Sequence, residues 1–127
     1  MYENIYNLEN GVLELTLSDF KYKNKKLFIN NPYFSKNEGL IIFYSPWCKF
    51  CKKIAPTIMN IAIDKQNLFN FGAVNSENVK DENDILCNRA DIVQYPTIMY
   101  IKKDGSLKKF KFKYNEDNLI YFVNTYI

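Results

Sequence analysis

Two cysteines separated by two residues, Cys48 and Cys51, have the type and the spacing to do chemistry in this 127-residue chain. A Cys-x-x-Cys pair beside a strand–helix unit is typical of redox proteins, although structural disulfides and metal sites also use it. We expect the first cysteine where the strand ends and the helix begins, because free helix N–H groups there stabilise its thiolate. The second cysteine then lies one turn further on, where it can attack a mixed disulfide and release the substrate.

The composition argues against several other classes of function. The chain has no histidine, which excludes Ser–His and Cys–His nucleophile systems and any zinc site that needs histidine. Its three cysteines are too few for a secreted disulfide scaffold, and we expect neither a metal nor another cofactor. The net charge of +3 is too small to indicate binding to nucleic acid.

The termini and the hydropathy pattern bear on localisation. Residues 1–20 lack the basic and apolar regions of a signal peptide, and the last four residues are not an ER-retention signal. No apolar run approaches the roughly 20 residues of a membrane helix. We therefore expect a soluble, cytoplasmic monomer that does not enter a membrane. The abundance of Lys, Asn, Ile and Tyr also fits an AT-rich genome, such as that of a protozoan or a large DNA virus, and is compatible with a virion protein.

The elements that must position the cysteines follow from the hydrophobic pattern. The continuous apolar run at 40–44 is typical of a strand that is buried on both faces. A helix is expected over 48–67, with a kink at Pro56. The stretch 21–26 is polar and is expected to be a solvated loop. Further strands are predicted over 12–17, 27–29, 68–74, 97–101 and 108–114, and further helices over 84–88 and after Asn115.

The order of these elements predicts the fold class. A strand–helix–strand unit near the centre implies parallel pairing through a right-handed crossover. The Asp104-Gly105 turn adds an antiparallel hairpin at one edge. We therefore predict an α/β fold in which a central mixed β-sheet is flanked by α-helices on both faces. The length fits one domain, 1–127, with residues 1–10 as an N-terminal extension.

Two sequence motifs resemble the thioredoxin superfamily. The segment FYSPWCKFCKKIAP at 43–56 is similar to its active-site segment. The sequence around Trp47 is most like that of the catalytic domains of protein disulfide isomerase. The tripeptide Tyr95-Pro96-Thr97 resembles the family's cis-proline segment. The resemblance covers about 11–127 and implies a thioredoxin-like fold.

The same resemblance implies an activity and a role for each matching residue. It implies a thiol–disulfide oxidoreductase in which Cys48 attacks and Cys51 resolves, acting on protein thiols and disulfides with an unidentified electron donor or acceptor. Such a protein serves electron transport and cell redox homeostasis. Trp47 would form an exposed hydrophobic lip, the backbone of Tyr95 would pair with an extended substrate peptide, and Pro96 would keep metals off the thiols.

One departure from the family pattern concerns the pocket beneath the cysteines. Ile42 lies six residues before Cys48, where the family usually carries a buried acid that accepts a proton from the second cysteine. The lysine that often accompanies this acid is also missing, since Phe71 falls near its place. We therefore expect a dry, uncharged pocket in which Cys51 keeps a high pKa and resolves slowly. Substitution by a water or by another acid stays open.

A second departure is the dipeptide Lys49-Phe50 between the cysteines. Thioredoxins typically have Gly-Pro there, and disulfide isomerases have Gly-His. The Lys49 cation is expected to favour the thiolate of Cys48. We expect a reduction potential between those of reductases and oxidases.

Alternative interpretations remain open from the sequence. A non-catalytic module could bind a partner through the surface around Trp47, Tyr95 and Pro96; the missing buried acid favours this, and the intact cysteine pair argues against it. Glutaredoxin-like activity is disfavoured, because glutaredoxins usually carry Pro-Tyr between their cysteines. We expect Cys87 to be a small buried hydrophobe, with a regulatory or dimer-forming thiol as the alternative.

Overall fold

A mixed sheet of five strands forms the centre of the structure, a computed structural model that describes residues 3–36, 38–66 and 68–126. In chain order the strands are β1 (Val12–Leu15), β2 (Phe20–Lys23), β3 (Lys26–Ile29), β4 (Gly39–Tyr44), β5 (Asn70–Asn75), β6 (Thr97–Ile101) and β7 (Leu107–Lys109). The central sheet has the order β1-β5-β4-β6-β7. Strand β5 pairs in parallel with β1 and β4, whereas β6 runs antiparallel to β4 and β7. The predicted mixed sheet is therefore confirmed, with β4 buried along its whole length at its centre.

The helices of the described ranges cover both faces of this sheet. They are α1 (Lys49–Asp64), α2 (Asn83–Arg89) and α3 (Glu116–Tyr126). On one face, Ile58 of α1 and Leu119 of α3 belong to the same buried cluster as Ile42 of β4. On the other face, Leu86 of α2 lies in a second cluster with Ile41 of β4. Successive side chains of a strand point to opposite faces, so β4 contributes to both clusters. The predicted placement of helices on both faces is confirmed.

Helix α1 corresponds to the helix predicted over 48–67. Pro56 lies inside it, as the sequence indicates, and Asn67 lies outside the described residues. None of the helices in the described part of the chain is long and apolar enough to cross a lipid bilayer.

The stretch 21–26, predicted as a solvated loop, instead forms most of an antiparallel β-hairpin, β2–β3. The two turn residues, Asn24 and Lys25, both have positive φ, at 51° and 62°. A two-residue turn of this kind matches the right-handed twist of its strands. Leu27 anchors the hairpin because its side chain is buried in the cluster beside α2. The prediction was wrong because the hairpin exposes its polar side chains, which makes its composition like that of a loop.

The strand predicted over 108–114 is also corrected, because β7 ends at Lys109. Phe110 still donates its N–H to the Ile98 carbonyl at 2.8 Å, and the chain then leaves the sheet. The hydroxyl of Tyr114 accepts the N–H of Ile98 at 2.9 Å. The alternation of lysines and aromatics therefore reflects packing of an irregular segment rather than a long strand.

The segment that precedes β1 packs into the core. Tyr6 is 2% exposed and belongs to the same buried cluster as Ile42 and Cys51. The chain reaches β1 through a 3-10 turn that ends at Gly11, whose φ is +78° and where a Cβ would come within 3.1 Å of Ala62. The segment before β1 therefore lies against the last turn of α1 at Gly11 and contributes Tyr6 to the core.

Candidate active site

Cys48 lies at the junction of β4 and α1, where the sequence places it. It is the N-cap residue of α1, and its Sγ accepts the N–H of Cys51 at 3.2 Å. The sulfur therefore lies at the positive end of the helix, with a backbone N–H directed at it. The Cys48 side chain is partly exposed, so a substrate can reach it.

Cys51 lies one turn further along α1 and is fully buried. Burial raises the pKa of its thiol to about 12, with a further contribution from its hydrogen bond with Cys48. The direction agrees with the expectation from Ile42, which is 3% exposed and belongs to the same cluster. A neutral thiol is a poor nucleophile. Cys51 must therefore pass its proton to another group before it can attack a disulfide.

The cis-proline segment lies opposite Cys48. The peptide bond between Tyr95 and Pro96 is cis, as the resemblance implies. The thiol of Cys48 donates to the Tyr95 carbonyl at 3.5 Å. These residues are 47 positions apart in the chain, and the pairing of β6 with β4 brings them together.

The rim of the site is apolar and basic. Trp47 is 66% exposed and Phe50 is 43% exposed, so neither is a core aromatic. Lys49 is also exposed, together with Lys52 and Lys53 in the first turns of α1. The structure therefore places the lip that the sequence predicts at the surface, next to Cys48.

The sheet face beneath the cysteines contains an acid that the sequence did not single out. Ala73 of β5 pairs with Ile42 on one side and with Glu14 of β1 on the other. Paired residues of neighbouring strands point to the same face, so these three side chains share one row. Glu14 therefore lies two strands, about 10 Å, from the position where the family usually carries its acid.

Glu14 has a partly buried environment with two donors. Its Oε2 accepts the hydroxyl of Tyr44 at 2.5 Å and the N–H of Tyr6 at 3.3 Å. Burial raises the pKa of Glu14 to about 7, although both hydrogen bonds lower it. This sheet face therefore contains, two strands from Ile42, a carboxyl group that titrates near neutral pH. Sequence reasoning missed Glu14 because only the strand order reveals that it shares a row with Ile42.

Cys87 lies on α2 and is buried, as expected of a small apolar residue. Burial raises the pKa of its thiol, while a hydrogen bond from the hydroxyl of Tyr95 lowers it. Burial likewise raises the pKa of Tyr95 to about 12. Cys87 therefore supports the cis-proline segment from the α2 side of the sheet. Among the described residues, no group of three or more potential metal ligands is close enough to hold an ion.

The sheet order, the cysteine pair at the start of α1 and the cis proline that faces it define a domain of the thioredoxin type. The thioredoxin family model matches residues 15–125, and the chain belongs to the thioredoxin family.

Curated relatives agree with this assignment over most of the chain. A mitochondrial thioredoxin domain-containing protein of Schizosaccharomyces pombe is 33% identical over 86 residues, which cover 66% of this chain and 22% of the relative. The protein disulfide-isomerase MPD1 of Saccharomyces cerevisiae is 31% identical over 100 residues, which cover 79% of this chain and 28% of that relative. Human protein disulfide-isomerase A4 is 34% identical over 98 residues, which cover 75% of this chain and 13% of that relative. The chain thus spans less than a third of the length of each of these relatives.

Solved structures show the same fold. The J-Trx1 fragment of ERdj5 has a TM-score of 0.68 at 21% identity, covering 91% of this chain and 51% of the fragment. Oxidised mitochondrial thioredoxin 3 from Saccharomyces cerevisiae has a TM-score of 0.66 at 21% identity, covering 94% of this chain and 99% of that protein.

Proposed function

We propose that this chain is a thiol–disulfide oxidoreductase acting on protein disulfides and dithiols, with Cys48 as nucleophile and Cys51 as resolving cysteine. The observation that carries the proposal is the position of Cys48. Its sulfur caps α1, accepts the N–H of Cys51 and faces the Tyr95 carbonyl, while its side chain stays accessible.

The reaction follows from this geometry. The thiolate of Cys48 attacks one sulfur of a substrate disulfide, and the second substrate sulfur leaves as a thiolate and takes a proton from water. Cys51 then loses its proton and attacks the Cys48 sulfur of the mixed disulfide. The Cys48–Cys51 disulfide forms, the remaining substrate thiolate is released, and two electrons have passed to the substrate. The reverse sequence oxidises a substrate dithiol.

The rim supports a protein as the substrate. Exposed Trp47 and Phe50 offer apolar contact area beside the nucleophile, and the Tyr95-Pro96 backbone offers an edge for an extended peptide. Lys49, the next residue after the nucleophile, adds an exposed cation to this rim. We extend the proposal to a cytoplasmic monomer that exchanges electrons with a separate redox partner. Size-exclusion chromatography with light scattering tests the monomer.

Reduction of insulin by dithiothreitol tests the activity. The wild-type chain should accelerate the reaction, Cys48→Ser should abolish the acceleration, and Cys51→Ser should accumulate a mixed disulfide. The matched control is Cys87→Ser, which removes the third thiol and should retain activity. Full activity in Cys48→Ser would refute the assignment of the nucleophile.

A binding module with unused cysteines is the second candidate. The exposed apolar rim around Trp47 favours it, because exposed aromatics are also typical of interfaces. A variant with Ser at both Cys48 and Cys51 distinguishes the binding module from the oxidoreductase. Capture of a partner that is unchanged in this variant supports a module, whereas capture that depends on the cysteines supports catalysis.

A further inference from the structure

The charges of helix α1, which begins directly after the nucleophile, are distributed in the opposite way to that which a helix favours. Three lysines near its start, which we call the basic wall, are Lys49, Lys52 and Lys53. Its first turn contains no acidic residue, and its single carboxylate, Asp64, is its last residue. The N-terminus of a helix is its positive end, so cations there and an anion at the C-terminus are both unfavourable. Lys49 and Lys53 are also four positions apart, a spacing at which like charges repel.

The other helices in the described ranges follow the usual rule. The first turn of α2 contains Asp84 and its last turn contains Arg89, while the first turn of α3 contains Glu116 and Asp117. The reversed pattern of α1 is not compensated within the described part of the chain, because no lysine of the basic wall makes an ion pair there. A local rule that is broken without compensation is typical of functional sites.

The basic wall borders the nucleophile. Its lysines are all exposed, and Lys49 directly follows Cys48. The cis-proline segment lies on the opposite side of Cys48, and residues 92–97 of that segment carry no charge. Trp47 and Phe50 add exposed apolar area in the same stretch of chain as the wall. A substrate that reaches Cys48 therefore meets positive charge and apolar surface, and these two segments present no carboxylate to it.

We propose that the substrates of this site are disulfides in acidic protein segments, whose carboxylates pair with the basic wall while apolar side chains contact Trp47 and Phe50. The proposal rests on the proposed function, because it names the substrate class of that reaction. Two electrons and two protons pass from the Cys48–Cys51 dithiol to the substrate disulfide, which becomes two thiols. A bound carboxylate supplies the negative charge that the start of α1 lacks, so binding relieves the unfavourable interactions there. Opposite charges also speed the encounter of enzyme and substrate.

Three peptides that share one internal disulfide and are flanked on both sides by Glu, by Gln or by Lys test this preference. The reduced chain is mixed with an excess of each peptide, and the fluorescence of Trp47 follows oxidation of the cysteine pair. The dependence of the rate on peptide concentration gives a half-saturating concentration, which reports binding, and a limiting rate, which reports chemistry. The Glu peptide should half-saturate at a concentration about tenfold lower than the Lys peptide, with the Gln peptide between them. This difference should shrink at high salt.

The double variant Lys52→Glu/Lys53→Glu reverses two charges of the basic wall and should invert the order of the three peptides in half-saturating concentration. Acidic residues are favoured at the start of a helix, so the variant should be at least as stable as wild type in urea. The inverted preference is then not a result of poor folding. Lys21→Glu/Lys23→Glu is the matched control: it reverses the same charge on exposed residues of β2 and should keep the wild-type order.

Equal half-saturating concentrations for the three peptides with the wild-type chain, or a lower one for the Lys peptide, overturn the proposal without any variant. The wild-type order in Lys52→Glu/Lys53→Glu, or an inverted order in the β2 control, overturns the assignment to the basic wall. Failure of the proposed function gives a different result, in which the wild-type chain reduces none of the peptides and does not reduce insulin.

Discussion

Glu14→Gln should change how the stability of the folded chain depends on pH. The pKa of Glu14 rises from an ordinary 4.5 to about 7 in the folded state, chiefly through burial. The folded state therefore holds the proton more tightly than the unfolded state does. As pH rises above about 4.5 the unfolded chain loses its proton first, and the folded chain loses stability until about pH 7. The proton on Glu14 therefore contributes its full stabilisation below about pH 4.5 and none above about pH 7.

The magnitude follows from the two pKa values. One pKa unit corresponds to about 1.4 kcal/mol, so ionising Glu14 in its folded environment costs about 3 kcal/mol of unfolding free energy. Gln is neutral at every pH and can still accept the Tyr44 hydroxyl and the N–H of Tyr6. The Gln variant should therefore escape this loss.

Urea unfolding of both proteins at about pH 4 and about pH 8 measures the effect. Relative to wild type, Glu14→Gln should become more stable by about 3 kcal/mol on going from the lower to the higher pH. Glu9→Gln, an exposed control, should show no such change. A difference between Glu14→Gln and wild type that is the same at both pH values would refute the buried, proton-holding carboxyl.

Three further substitutions test the packing by urea unfolding. Asn83→Ala should lose about 2 kcal/mol, because the buried Nδ2 donates to the carbonyls of Leu15 and Asn75 at 3.2 and 3.0 Å; an unchanged midpoint would contradict this. Leu119→Ala should lose about 3 kcal/mol, because its fully buried side chain would leave a cavity; a loss below about 1 kcal/mol would place it outside the core. Lys25→Gly should gain about 1 kcal/mol by relieving a φ of 62°; a loss would contradict the turn geometry.

The features that the sequence predicts well are local ones. The apolar run at 40–44 becomes the central strand, and Asn115 caps α3 through a hydrogen bond from Asn118 at 2.9 Å. The cysteine pair is equally local, because a strand end followed by a helix start determines where both sulfurs lie. Each of these inferences needs only neighbouring residues.

The features that the sequence did not reveal depend on distant parts of the chain. Glu14 shares a sheet face with Ile42 because β1 pairs with β5, and Tyr6 belongs to the same buried cluster as Cys51 because the segment before β1 packs into the core. The β2–β3 hairpin was missed because Lys25 carries a positive φ, for which lysine has no preference. The neighbours of a residue on an edge strand can therefore be identified only once the strand order of the sheet is known.

A redox titration of the Cys48–Cys51 couple tests the central claim most directly. Trp47 is the single tryptophan of the chain and precedes Cys48, so its fluorescence reports the state of the pair. In glutathione buffers the wild-type chain should show a reversible two-electron transition between about −270 and −180 mV, and Cys48→Ser should show none. The absence of a reversible transition in the wild-type chain, or the same transition in Cys48→Ser, would contradict the account.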